Sequence, residues 1–140
     1  MNKFIQQDLT PDIVKTDNPR IGLIALSTDF TIEQDFRNIC HHNPVDIFVN
    51  RIPFENPLNH KNYLKMADHI SEVSSQILPS EDIDIVAYGC TSGTIAIGAD
   101  RIKEEVNKAK PKAKVTTPIT AAMKAFNHLG LKKIAVLTPY

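Results

Sequence analysis

The sequence predicts an α/β domain built on an open, mainly parallel, doubly wound sheet, and three observations carry that prediction. Short apolar runs of strand length recur along the 140 residues, at Ile21–Leu26, Val45–Asn50, Ile83–Tyr88, Ala113–Thr116 and Lys133–Tyr140. Segments with helical spacing of apolar residues alternate with them. The connections are short. A β(αβ)₄ order of this kind calls for right-handed crossovers and a parallel sheet covered on both faces, a three-layer α/β/α sandwich. The near-continuous apolar character of Ile21-Gly-Leu-Ile-Ala-Leu is that of a strand buried on both sides.

Residues 1–20 are polar, contain Pro11 and Pro19, and read as a leader that packs on a neighbouring surface. After the first strand, Thr31 and Gln34 have capping-box spacing. The helix they open carries Ile32, Phe36 and Ile39 on one side and stops before Pro44. Asn50 to Asn59, with Pro53 and Pro57, forms a loop long enough to reach over a site. The next helix repeats apolar residues at Tyr63, Met66, Ala67, Ile70, Val73 and Ile77, at helical period, and Pro79 ends it. A third helix runs from Thr94 to Ala109. Thr117 followed by Pro118 is an N-cap with proline at the first helical position. Ala121, Ala122, Ala125, Phe126 and Leu129 then share a face, and Gly130 stands where a helix stop is expected. Residues 21–130 thus form the domain.

The length suits one compact unit that buries about two-thirds of its unfolded surface. Sixteen Lys and Arg balance sixteen Asp and Glu, so the chain has no electrostatic footprint for nucleic acid or an anionic membrane. Nothing approaches the roughly 20 apolar residues of a membrane span, and the start is too polar for a signal peptide. Two cysteines without a secretory signal point to free thiols and a cytoplasmic protein. No Gly-x-Gly-x-x-Gly or P-loop is present, so no nucleotide cofactor is expected. The adjacent His41 and His42 lack a second ligand pair, and no metal site is read from them.

Ile83-Asp-Ile-Val-Ala-Tyr-Gly-Cys-Thr-Ser-Gly-Thr is the stretch with most chemistry. Ligands of open α/β sheets bind beyond the carboxyl ends of strands. A thiol at such a strand end, facing the start of the next helix, is expected to have its thiolate stabilised by free N–H groups. Cys90 is the candidate nucleophile or base, and Thr91, Ser92 and Gly93 the candidate anion cradle. A lone cysteine at a strand end is also a common packing residue. Ser27 and Thr28 either bind ligand or cap a turn. Arg51 either grips a carboxylate or lies at the surface, and Phe54 either walls an apolar pocket or anchors its loop. Cys40 is read as core.

Arg20-Ile-Gly-Leu-Ile-Ala-Leu-Ser-Thr-Asp-Phe-Thr-Ile-Glu, then Gly89-Cys-Thr-Ser-Gly, then Lys133-Ile-Ala-Val-Leu-Thr-Pro-Tyr resemble the aspartate/glutamate racemase superfamily. They are most similar to its branch of maleate cis–trans isomerase, arylmalonate decarboxylase and ectoine-utilisation proteins. The resemblance runs from Arg20 to Tyr140 in order. It implies a cofactor-independent enzyme of two pseudo-symmetric α/β halves acting on a small carboxylic acid, with one cysteine from each half. Cys90 matches the first-half cysteine, Thr91 and Ser92 match carboxylate-binding positions, and Tyr140 matches a pocket tyrosine. Asp29 stands where maleate isomerases carry a carboxylate-binding asparagine. An ionised Asp29 would repel a dicarboxylate, so the resemblance implies that it is protonated, turned away or met by a donor on the substrate.

The resemblance further implies that residues 131–140 are the first strand of a second domain, that the chain is the inactive N-terminal half of a longer protein, and that its exposed apolar surface favours homo-oligomers. The alternative expectation is a non-catalytic, flavodoxin-like module that binds a small molecule.

Overall fold

The computed structural model describes residue 10 and residues 16–137. Ten elements follow one another: β1 (Arg20–Leu26), α1 (Ile32–Cys40), β2 (Asp46–Ile52), α2 (His60–Lys65), α3 (Ala67–Ser75), β3 (Ile85–Tyr88), α4 (Thr91–Ile97), α5 (Ala99–Ala109), β4 (Lys114–Thr116) and α6 (Pro118–His128). The four strands form one parallel sheet in the order β2-β1-β3-β4. The α/β class and the open parallel sheet are therefore as expected.

Strand order decides where a ligand can sit. The chain steps from β1 outward to β2, then returns past β1 to build β3 and β4 on its other side. The reversal leaves a crevice beyond the carboxyl ends of β1 and β3, the topological switch point of an open α/β sheet. Ser27–Asp29 follow β1 and Cys90 follows β3, so both candidate segments open into that crevice.

The core lies between the sheet and α2–α5. Ile24, Ile52, Val86 and Tyr88 of the strands meet Met66, Ile70, Val73, Ile102 and Val106 of the helices, all buried. These alternate residues of the strands point to one face, as the period of two demands. By contrast, α1 and α6 contain no buried residue. Ile32, Phe36 and Cys40 of α1 are half-buried, while Ile39, expected on the packed side, is exposed. Cys40 is thus a partly covered boundary residue rather than core, because its helix covers the sheet without closing over it.

Two long helical patterns are each divided. The segment after the Pro-rich loop breaks at Met66 into α2 and α3, and the one after Cys90 breaks at Gly98 into α4 and α5. Gly98 has φ +91°, a conformation that side-chain-bearing residues resist, so glycine permits the break. The Thr117–Pro118 start forms as expected, with a reciprocal capping box to Thr120. At its other end α6 closes in a Schellman motif: Leu131 N–H donates to Phe126 O at 2.9 Å, Gly130 N–H donates to Asn127 O at 3.2 Å, and Gly130 has φ +65°.

Three expectations are corrected. The Thr31–Gln34 capping box does not form, since the Asp29 carboxylate, a stronger acceptor, takes the Thr31 hydroxyl at 3.2 Å, and Gln34 Nε2 turns to Phe30 O at 3.1 Å. Residues 131–137 form no strand: among the described residues no neighbouring strand supplies a ladder, and Val136 and Leu137 lie exposed. The predicted apolar face of α6 is only partly covered, with Ala122 and Phe126 half-buried and Ala121, Ala125 and Leu129 exposed. Near the leader's end, Thr16 and Asn18 hydrogen-bond the Asp46 carboxylate at the start of β2, 2.6 and 3.1 Å away.

Candidate functional site

Cys90 ends the β3 segment in extended conformation (φ −130°, ψ 113°) and is itself the N-cap of α4. Its sulfur accepts the Gly93 N–H at 3.2 Å, and its carbonyl accepts both Thr94 N–H and the Thr94 hydroxyl, at 3.0 and 2.7 Å. The sequence sets this up: four small residues after the cysteine let the first helical turn close tightly on it. Gly93 has no alternative, because a Cβ there would lie 2.7 Å from the Tyr88 hydroxyl and 3.0 Å from the Cys90 sulfur. Gly89 is equally constrained, since its Cβ would meet Ile32 Cδ1 at 2.5 Å and the Ile24 carbonyl at 3.0 Å.

A cavity of about 280 Å³ opens at this point, lined by Cys90, Thr91 and Ser92 from β3–α4, Leu26 and Thr28 from the end of β1, and Phe54, Leu58 and Tyr63 from the loop and helix after β2. A second, more apolar hollow of about 450 Å³ shares Leu58, Tyr63 and Ser92 and continues past Ile95 and Ala96 to His60. The Phe54 and Tyr63 rings, with centroids 5.5 Å apart, form one wall. The loop that carries Phe54 and Leu58 is held by Asn62, whose buried side-chain amide donates to Glu55 O and Pro57 O at 3.3 and 3.0 Å.

Only 6% of Cys90 is exposed. Burial pushes its thiol above the ordinary value, the N–H groups of Gly93 and Ser92 pull it back, and the negative charge of Asp29 adds to the rise. The N–H groups expected at a helix start are in place, and desolvation acts against the stabilisation they give a thiolate. Beneath it, Tyr88 is buried and its hydroxyl is pushed well above the ordinary value by burial and by the charge Cys90 would carry.

Asp29 is not on the cavity lining. Its Oδ1 accepts Thr31 N–H at 2.8 Å and Ile32 N–H at 3.0 Å, which caps α1. Burial raises its carboxyl, but those N–H groups, the Thr31 hydroxyl and the Arg51 charge outweigh it and hold the group below its ordinary value. It is ionised, and turned to its own helix. Arg51 is equally committed: its guanidinium donates to Leu26 O at 2.9 Å, to Asp29 O at 2.5 Å and to the Glu33 carboxylate. Its reading as a carboxylate grip gives way to one as the clasp of the β1–α1 loop.

Of the residues singled out in the sequence, Thr28, Cys90, Thr91 and Ser92 come together on one cavity, with Gly93 directly beneath. Ser27 is exposed, and its N–H completes the sheet edge to Ile52 O at 2.9 Å. Tyr140 lies outside the described residues. Sequence reasoning missed Leu26, Leu58 and Gly89 as lining, took Tyr63 for core, and gave Tyr88 no role. The signal for Tyr88 was present: two residues before Cys90 on a strand, it shares the cysteine's side of the sheet. Among the described residues no group of His, Cys, Asp or Glu is gathered to hold a metal ion, and no helix is long and apolar enough to cross a membrane.

No family profile and no curated protein matches this chain. Solved structures do. The maleate isomerase Iso from Pseudomonas putida superposes with a TM-score of 0.69 at 20% identity, covering 89% of this chain and 54% of that one. A cysteine-to-alanine form of that enzyme with maleate gives 0.70 at the same identity and coverage. Maleate cis–trans isomerase from Nocardia farcinica, bound to TRIS, gives 0.63 at 16% identity, covering 80% of this chain and 49% of that one. This chain spans about half the length of these structures. At such identities the likeness is one of fold alone.

Proposed function

We propose that this chain carries one wall of the active site of a cofactor-independent isomerase or racemase of small carboxylic acids, with Cys90 as the reacting thiol. The observation that carries the reading is the position of Cys90, at the β1/β3 switch point and on a cavity lined by Thr28, Thr91 and Ser92. The fold shared with maleate isomerases supports it.

In the isomerase form of the reaction, the Cys90 thiolate adds to one carbon of a cis double bond conjugated to carboxylate, forming a C–S bond as the π electrons move toward the carboxylate. The former double bond rotates as a single bond. Return of those electrons expels the thiolate and leaves the trans isomer, with no net gain or loss of atoms. In the racemase form the thiolate removes an α-proton, and a group on the opposite wall delivers one to the other face. Thr91 and Ser92 hydrogen-bond the carboxylate oxygens on which charge accumulates. Because the chain spans half of its structural neighbours, we propose that turnover needs an opposite wall contributed from outside these 140 residues. The reaction belongs to a soluble, cytoplasmic setting in this reading, with no nucleic-acid, membrane or cofactor partner.

The test is turnover of maleate, read as fumarate formed, by the intact protein and its Cys90→Ala form. Loss of about a thousandfold or more is expected for a group that both adds and leaves. Unchanged turnover would end the reading. The second reading, a flavodoxin-like binding module without chemistry, is favoured by one observation: Cys90 is buried, and burial pushes its thiol up. Binding of maleate with equal affinity to the parent and Cys90→Ala forms, with no turnover of maleate or of aspartate enantiomers by either, would select it.

A further inference from the structure

Tyr88 has a buried hydroxyl that nothing so far uses. Only 1% of the residue is exposed, and its hydrogen-bond partner is the Met66 thioether, 3.9 Å away. A thioether is a weak acceptor, and a buried hydroxyl without a good partner costs stability. A phenylalanine would fill the same space without that cost. The hydroxyl is also aimed at something. It lies under the first turn of α4, where the space of a single methyl group on Gly93 would touch both the Tyr88 oxygen and the Cys90 sulfur. Tyr88 and Cys90 are two residues apart on one strand segment, so both side chains leave the sheet on the side of α2 and α4.

We infer that Tyr88 is a positioning residue for Cys90, its hydroxyl donating from below to the cysteine sulfur when the thiolate forms. The inference rests on the reading of Cys90 as the reacting thiol. In the resting state the hydroxyl satisfies itself on Met66. As the sulfur takes on charge it becomes a far stronger acceptor than a thioether, and the phenol oxygen and the sulfur already flank the same space at Gly93. Gly93 N–H then holds the sulfur from the helix side and Tyr88 from the core side, which fixes the direction of the remaining lone pairs toward the cavity.

The titratable groups that face the sulfur are few. Asp29 acts on it from the β1–α1 loop, Tyr63 shares the cavity from α2, and α4 presents only the neutral Thr91 and Ser92. Asp29 is ionised throughout the range in which a thiol titrates, and Tyr63 is common to parent and variant, so a difference between the two in that range reports the Tyr88 hydroxyl.

The experiment is the rate of Cys90 alkylation by iodoacetamide against pH in the intact protein and in Tyr88→Phe, read by peptide mass spectrometry with Cys40 as internal reference. Removing the hydroxyl is expected to raise the Cys90 midpoint by about one pH unit, which slows its alkylation about tenfold below that midpoint. Cys40 stays unchanged. An unaltered midpoint in folded Tyr88→Phe overturns the inference. Should that variant not fold, the parent protein labelled at tyrosine Cζ decides: the Tyr88 carbon resonance is expected to shift at the Cys90 midpoint, and a resonance flat through it overturns the inference. Neither readout uses turnover, so an inactive but correctly titrating protein would refute the enzymatic reading while leaving the Tyr88–Cys90 contact standing.

Discussion

Replacing Gly93 by alanine tests the packing on which the site depends. The added methyl would sit 2.7 Å from the Tyr88 hydroxyl and 3.0 Å from the Cys90 sulfur, closer than either contact allows. Neither neighbour can step aside, since Tyr88 is 1% and Cys90 6% exposed. Overpacking of this kind costs about 1–3 kcal/mol. Alanine recovers up to about 1 kcal/mol through its helix preference, less here because the position lies in the first turn. The net is a loss of about 1–2 kcal/mol, or about 3–7 °C in Tm for a chain of this size. Gly98→Ala is the control. It meets nothing within 4 Å but sits at φ +91°, so it costs about 1 kcal/mol through the backbone alone. Thermal melts followed by circular dichroism give the stabilities, and iodoacetamide rates at Cys90 against Cys40 separate the two mechanisms. Gly93→Ala pushes the sulfur from the Gly93 N–H and changes the Cys90 rate; Gly98→Ala leaves it as it was. If Gly93→Ala melts at or above the parent with an unaltered Cys90 rate, the reasoning about this space is refuted.

Asp29→Ala removes the cap of α1 and is expected to cost about 1 kcal/mol at neutral pH, whereas Asp29→Asn keeps an acceptor oxygen and lowers the Cys90 alkylation midpoint by removing a negative charge. Because the Asp29 carboxyl is held below its ordinary value of 3.8, its contribution is complete above that pH and disappears as pH falls through the lower folded value; parent and Asp29→Ala urea midpoints should converge there. Cys90 runs the other way. Its thiol is raised from 9.0, so stability is full below that pH and declines as pH climbs toward the folded value, and Cys90→Ala should flatten the decline in a urea series from pH 8 to pH 10. Lys110, only 6% exposed, donates its ammonium to Leu78 O at 2.8 Å and Glu81 O at 2.9 Å. Lys110→Met removes both charge-assisted hydrogen bonds and is expected to lose about 1–3 kcal/mol in the same urea assay.

The features legible in the sequence are those that one segment settles for itself. Apolar runs set four strands in place, Thr117–Pro118 and Gly130 set both ends of α6, and the cysteine followed by small residues announced a helix start on a thiol. What escaped depended on competition between segments. Asp29 and Thr31 both suit a cap, and only the distance of each oxygen from the Thr31 and Ile32 N–H groups decides for Asp29. Arg51 could face ligand or surface, until the carbonyls of Leu26 and Asp29 are brought beneath it by the pairing of β1 with β2. The apolar pattern at 133–137 is strand-like, but pattern alone supplies no partner for the backbone. The position of Cys90 at a helix start is visible in the sequence, and the depth of its burial, which pushes its thiol up, is not.

The charges around the crevice decide how this wall would meet the acid proposed as its substrate. Asp29 spends its carboxylate on α1, and Arg51 spends its guanidinium on two carbonyls and Glu33. The groups that line the cavity beside Cys90 are neutral: the Thr28, Thr91 and Ser92 side chains, the Tyr63 ring and apolar carbon. Recognition of a carboxylate by this wall would therefore come from hydroxyl and N–H dipoles. Such donors favour an anion without a counter-charge, so binding contributed by this wall should change little between low and high salt, where a guanidinium or ammonium site would weaken. They also place no cation beside the thiol. A measured Cys90 midpoint that falls on maleate binding would contradict this picture, because a dianion added to a wall with no cation of its own raises a neighbouring thiol.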